Sequence, residues 1–226
     1  MVHKVYDTVG EFAGICEAIQ AVETRLQQRG LTPGSYLLKF SKRQYNEQTL
    51  QTGRLRISSA SAYDDDTHLR AVKDREMVRT TFALPNEVEL TTEASQRVEP
   101  LGAVTVRTQT CTDYYLYCVS QTFARRLFHD FRADSCLLIY NVNEFVDRLV
   151  NTVLQRYPEY TVSDRNVEYF DPFDCHREID VFFMKPFAYA YQQEFRIVWL
   201  PPSPIQRLEP FFIELGSLED CAELIV

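Results

Sequence analysis

Hydrophobic residues recur along this chain at two different periods, and the switch between them marks out its elements. From Thr8 to Gly30, Phe12, Ile15, Cys16, Ile19, Val22 and Leu26 fall three or four residues apart, which is one face of an α-helix. Thr8 with Glu11 three residues later predicts a capping box at its start, and Gly30 after Arg29 predicts its end. Phe145, Val146, Leu149, Val150, Val153 and Leu154 form a second stripe, so an amphipathic helix is expected from about Asn143. Shorter runs, alternating or continuously apolar, predict strands at 36–40, 54–58, 78–84, 87–92, 102–109, 114–119, 136–140, 167–170, 195–200 and 211–215. The run 136–140 has no polar face and is expected to be central. Helical turns are expected at 47–50 and after Ser217, and a short helix at 121–131, while the polar segment 61–76 reads as a loop or a solvated helix.

Strands and helices do not alternate regularly, which argues against a doubly wound parallel sheet. The expected fold is α+β: a mixed, mostly antiparallel sheet with peripheral helices. The 226 residues contain no repeat and no linker long enough to divide them. One domain is expected, with an N-terminal helix over 1–30, a core over 35–200, and a C-terminal strand and helical turn over 205–226.

Composition narrows the function. The aromatic content is 13%, with 15 Phe and 13 Tyr against one Trp, which suits strands and aromatic-lined pockets. A net charge of -8 disfavours general nucleic-acid binding, because phosphate is repelled at long range. A local basic strip would be needed, with Lys42, Arg43, Arg54 and Arg56 as its candidates. No apolar run reaches membrane-spanning length, and Met1–Lys4 lacks the apolar stretch of a signal peptide. The six cysteines form no Cys-x-x-Cys and mostly sit beside apolar residues, so reduced, mostly buried thiols in the cytoplasm are expected. Glycine-rich phosphate loops, metal-spaced histidines and a Gly-x-Ser-x-Gly elbow are all missing from the sequence.

The segment most suggestive of chemistry runs from Tyr189 to Val198. Residues two apart on a strand share a face, so Gln192, Glu194 and Arg196 are expected to project together and could grip a sugar. The plainer alternative is a solvated sheet face carrying an Arg–Glu pair. Asp64, Asp65 and Asp66, with Asp74 and Glu76, offer a rival: a Mg²⁺ site for nuclease chemistry. Its plainer alternative is a charged loop neutralised by Arg70, Lys73 and Arg75.

Gln192-x-Glu194 before a strand resembles the catalytic turn of the ADP-ribosyltransferases. Lys39-Phe40-Ser41, Leu50-Gln51-Thr52-Gly53, the strand from Arg54 to Ser59, and Ser120-Gln121-Thr122-Phe123 follow in the order of that fold's motifs. The chain also resembles a bacterial family of uncharacterised proteins through Leu38-Lys39-Phe40, Ser59 to Asp65, and Lys185 through Tyr191 to Glu194-x-Arg196. It departs from the transferase pattern in offering Lys39 or Arg43 where an Arg or His is expected, and Ser-Gln-Thr in place of Ser-Thr-Ser. The resemblance implies split sheets and NAD as donor. It implies Glu194 as the carboxylate that stabilises an oxocarbenium-like ribose, and Gln192 as the group that orients the acceptor. Lys39 or Arg43 would meet the pyrophosphate. Ser58, Ser120 and Thr122 would hold the ribose, and Tyr63 or Phe123 would stack on a flat ring. The acceptor would be a protein or nucleic acid, the context a toxin or antiviral defence effector with an antitoxin or regulatory partner. A non-enzymatic binding module of a bacterial or phage conflict system is the third reading.

Overall fold

The computed structural model describes residues 3–64 and 75–226, with side chains from Gly14 to Tyr63 and from Arg75 onward. Among these, four α-helices are α1 (His3–Gln28), α2 (Arg43–Thr52), α3 (Arg126–Asp130) and α4 (Val142–Arg156). The strands are β1 (Leu37–Ser41), β2 (Arg54–Ser59), β3 (Val78–Ala83), β4 (Leu90–Thr91), β5 (Arg97–Val98), β6 (Val104–Gln109) and β7 (Tyr115–Ser120). They continue with β8 (Ser135–Ile139), β9 (Thr161–Asn166), β10 (Glu168–Phe170), β11 (Met184–Pro186), β12 (Glu194–Leu200), β13 (Phe211–Glu214) and β14 (Ala222–Ile225). The fold is α+β, as expected, and every pairing in the main sheet is antiparallel. No helix of the described residues is long and apolar enough to cross a membrane.

The main sheet is built around β7, where it forks. One edge of β7 pairs with β12 along its whole length, from Trp199 opposite Tyr115 to Glu194 opposite Ser120. The other edge is shared. Tyr115 and Leu116 face Ser59 and Ser58 of β2, whereas Ser120 faces Leu38 of β1. Among the described residues, 117–119 have no partner strand on that edge, so β2 with β13 and β1 with β8 and β14 splay apart. Gly53 makes the reversal from α2 into β2. Its φ is +66°, and a Cβ there would stand 2.4 Å from the Gly216 carbonyl oxygen, so the turn requires glycine.

The two faces of the sheet differ. On one, Phe145, Leu149 and Val153 of α4 pack on Leu37, Ile57, Tyr117, Leu137 and Trp199. On the other, α1 and α3 cover Leu38, Phe40, Cys136 and Leu138, with Ala18 and Val22 inserted from α1. The predicted α4 stripe is therefore the buried one, and its Asn141 cap accepts from the Glu144 N–H at 3.4 Å.

Several expectations are corrected. Helix α1 begins at His3, so Thr8 lies inside it and opens nothing. Cys16 is exposed, and Ala18 takes its place in the buried stripe. Only Cys136 and Cys221 are buried, although all six thiols are free. The turn at 47–50 is part of a ten-residue helix, and the helix at 121–131 shrinks to Arg126–Asp130. The turn after Ser217 closes through the Ala222 N–H to the Leu218 carbonyl, but the chain then runs on as β14, paired to β8. Strands β5, β9 and β11 are likewise absent from the sequence pattern. Strand β9 (Thr-Val-Ser-Asp-Arg-Asn) is a polar edge held by main-chain pairing to β12, so it carries no hydrophobic signal.

Candidate functional site

The fork opens into a cavity of about 660 Å³, within the range of cofactor and ligand sites. Its walls come from β1, α2, β2, the 3₁₀ turn Ala60–Asp64, β7, β11 and the start of β12. Among the described residues lining it, Lys39, Lys42, Arg54, Arg56 and Lys185 are basic, and only Glu76 and Glu194 are acidic. Among the described lining residues, basic side chains thus outnumber acidic ones in a chain whose net charge is -8.

Glu194 sits where a 3₁₀ turn, Phe187–Gln192, gives way to β12. Gln193 joins them with φ +40°, a left-handed conformation that costs a non-glycine residue about 1–2 kcal/mol. Its side-chain amide steadies the turn through the Ala190 carbonyl at 2.7 Å. The Glu194 N–H donates to the Tyr169 hydroxyl at 2.9 Å, which fixes the first residue of the strand. Period two then brings Arg196 to the same face, with its Nε 2.7 Å from Glu194 Oε1. Gln192 shares that side although it belongs to the turn: its Oε1 lies 3.4 Å from Lys185 Nζ.

This face is buried, not solvated. Lys185 Nζ donates to Glu194 Oε2 at 2.9 Å and lies 3.5 Å from Glu76 Oε1. Arg196 reaches Glu76 through both terminal nitrogens, at 2.8 and 3.0 Å, and gives a further bond to the Phe182 carbonyl. Arg79 adds a third cation, 2.9 Å from Glu76 Oε2, and donates to the Met184 carbonyl. Among the described residues, three cations surround these two carboxylates. Burial pushes both carboxyls upward, but Arg196 and Lys185 outweigh it and hold Glu194 and Glu76 below the usual carboxylate range. Both are ionised at neutral pH. The sequence gives no sign that Glu76 and Arg79, three residues apart at the start of β3, form one network with Glu194. Lys185 does leave a local clue, as a lone charge in the run Phe183-Met184-Lys185-Pro186.

Lys39 fills the fork itself. Its Nζ donates to the Cys118 carbonyl at 3.1 Å, an oxygen in the part of β7 that lacks a strand neighbour there, and stands 4.6 Å over the Tyr117 ring. Burial lowers its pKa, opposed by nearby Glu194. Ser120 pairs with Glu194 across the strands, and Tyr63 bonds Ser58 on the opposite wall. Of the residues expected at a site, the fold gathers Lys39, Ser58, Tyr63, Ser120, Gln192 and Glu194 around the cavity.

Three others are not brought there. Arg43 is exposed on α2 and paired to Glu47 at 2.7 Å. Thr122 lies beyond the end of β7 and does not line the cavity. Phe123 packs against Phe40 and Phe128 in the core beneath α1. In the rival metal site, Asp65, Asp66 and Asp74 lie outside the described residues, and so does the side chain of Asp64. Glu76 is committed to Arg79 and Arg196, and the described residues contain no cluster of three metal-binding side chains.

No protein-family model, curated protein or solved structure matches the chain.

Proposed function

We propose that the chain is an NAD-dependent ADP-ribosyltransferase that splits the nicotinamide–ribose bond at the sheet fork and passes ADP-ribose to a protein or nucleic acid. The observation that carries this reading is an ionised Glu194 on the wall of a cavity otherwise rich in cations. The donor chemistry fits those residues. NAD has two phosphates, which Lys39 and Lys185 would meet, and hydroxyl-rich ribose, which Ser58 and Ser120 would hold. Tyr63 would offer a ring face to nicotinamide.

When the C1′–N bond breaks, nicotinamide leaves with the bonding electron pair and positive charge builds on the ribose. A fixed carboxylate stabilises that charge more than it stabilises the neutral sugar. Glu194 is fixed by Arg196, Lys185 and the pinned N–H of its own residue, so it need not reorganise as the charge forms. Gln192 would orient the acceptor, whose nucleophile bonds to C1′ and releases its proton to solvent water.

A second reading has its own support. Glu194 is 5% exposed, and each of its oxygens already has a cationic partner. That arrangement also suits a structural network around a cavity that binds without turnover, the non-enzymatic module. Chromatography of nicotinamide released from NAD separates the two. The transferase reading expects release, falling about 10²–10³-fold in Glu194→Gln with the fold intact. Wild-type protein that binds NAD without releasing nicotinamide, or a folded Glu194→Gln variant with full activity, removes Glu194 as catalyst.

A further inference from the structure

The mouth of the cavity differs from its floor. Among the described residues, most surface arginines are already engaged by carboxylates, such as Arg25 and Arg29 by Glu223, Arg125 by Glu23, and Arg148 by Glu144 and Asp220. Lys42 at the cavity rim is likewise 3.4 Å from Asp134. Arg54 and Arg56 are exceptions. They alternate with buried Leu55 and Ile57 on β2, so both point from the same exposed face. Among the described residues neither has a carboxylate within ion-pair distance. Glu214 stands opposite Arg54 across the β2–β13 pair but forms no ion pair with it. Phe212 lies opposite Arg56, is 56% exposed, and has the Arg54 guanidinium 4.7 Å from its ring centroid. Tyr45, 57% exposed on α2, lines the same mouth.

From this we infer that the rim formed by Arg54, Arg56, Phe212 and Tyr45 binds a single-stranded polynucleotide, the acceptor that would be modified at the fork. The inference names the acceptor class of the site proposed above and rests on that reading for its role, although not for the binding itself. Two guanidiniums free of carboxylates and one strand-repeat apart match successive backbone phosphates. Two exposed rings give flat faces on which bases stack, whatever their sequence. A paired duplex hides those base faces. An acidic peptide would use the arginines but leave the rings idle, so the combination favours nucleic acid. The overall charge of -8 makes the contact local, which predicts short footprints and strong dependence on salt.

The test is fluorescence anisotropy of labelled 12-nucleotide DNA and RNA single strands, without NAD, from low to moderate salt. Binding is expected, weaker for the matching duplex and not displaced by a poly-glutamate peptide at equal charge. Arg54→Ala with Arg56→Ala should reduce the slope of log affinity against log salt by about 1.4, the release expected for two phosphates at about 0.7 each. Phe212→Ala should weaken binding about fivefold or more and leave that slope unchanged. The DNA and RNA arms show which strand is preferred. Glu194→Gln should bind oligonucleotide as wild type does, so loss of nicotinamide release and loss of strand binding report separate failures. No binding to either strand, binding unchanged in the double variant, or equal displacement by poly-glutamate would overturn the inference.

Discussion

Strands β7 and β12 present two unlike environments on their two faces. Towards α4 they send Tyr115, Tyr117, Val119, Ile197 and Trp199 into a core of aliphatic and aromatic side chains. Of the alternate residues, Leu116 and Val198 join a small apolar cluster with Ala60, Tyr114 and Phe183, whereas Glu194 and Arg196 enter a buried network with Glu76, Arg79 and Lys185. The same backbone, register and pairing serve both faces, so the difference is one of side-chain chemistry alone. The apolar face stabilises by removing hydrocarbon from water, roughly 25 cal/mol per Å². The charged face starts from an unfavourable term, since each buried ion loses several kcal/mol of hydration before its partners offset any of it. Apolar residues of equal size would stabilise that face at least as well. Folding alone therefore does not account for its charges.

Cutting one link in each face is the strongest way to break this comparison. Arg196→Ala removes a cation shared by Glu76 and Glu194, leaving the two buried carboxylates with Lys185 and Arg79 among the described residues. Destabilisation of about 3–5 kcal/mol is expected in urea unfolding. Leu149→Ala on α4 should cost about 2–5 kcal/mol through lost transfer energy and a cavity. If Arg196→Ala costs under about 1 kcal/mol, the network is not the buried, mutually dependent unit described here.

pH sharpens the contrast between two variants of similar cost. The carboxyls of Glu76 and Glu194 titrate in the folded chain below their ordinary value of 4.5. A depressed folded pKa contributes stability that is complete above the unfolded pKa and is lost as pH falls through the folded one. Wild-type stability should therefore decline below about pH 4.5 as this contribution fades. The cost of Arg196→Ala, measured as a difference from wild type, should shrink over the same interval. Leu149 does not titrate, and its cost should stay nearly level. An Arg196→Ala penalty that is flat from about pH 7 to about pH 3 would show that the carboxylates are not ionic partners of that arginine.

Legibility in the sequence follows the range of the interactions. Helix α4 and strands β1, β2, β7, β8, β12 and β13 can be read because each has a hydrophobic period of its own. Strand alternation alone also puts Glu194 and Arg196 on one face, and the resemblance draws in Lys39, Ser58 and Ser120. What cannot be read is that their surroundings are dry. Glu76 meets Arg196 across 120 positions, and no local pattern announces such a pair. The clue that is present is Lys185, a charge inside the otherwise apolar 183–186. Strand β9 is illegible for a related reason: it is held by main-chain bonds to β12, not by a pattern of its own. Strand β14 does bury Ala222 and Ile225, but four residues are too few for their period to be told from a helical turn. Arg43 and Phe123 are misplaced by the sequence reading because residue order does not tell which way a helix or a loop faces.

The smallest expected effect tests the apolar face without touching its side chains. Asn141 caps α4, the helix that covers that face, but the bond from the Glu144 N–H is long at 3.4 Å. Asn141→Ala should therefore fall towards the low end of cap deletions, about 0.5–1 kcal/mol. For a chain of this length that is roughly 1–4 °C in Tm. The residue carries no charge, so the loss should be equal at about pH 7 and about pH 4, unlike that of Arg196→Ala. It should also leave the cavity at the fork undisturbed, with ligand binding unchanged. Should capping loss instead weaken binding at the fork, α4 and the charged network would be mechanically linked through β7 and β12, and the two faces would not be independent.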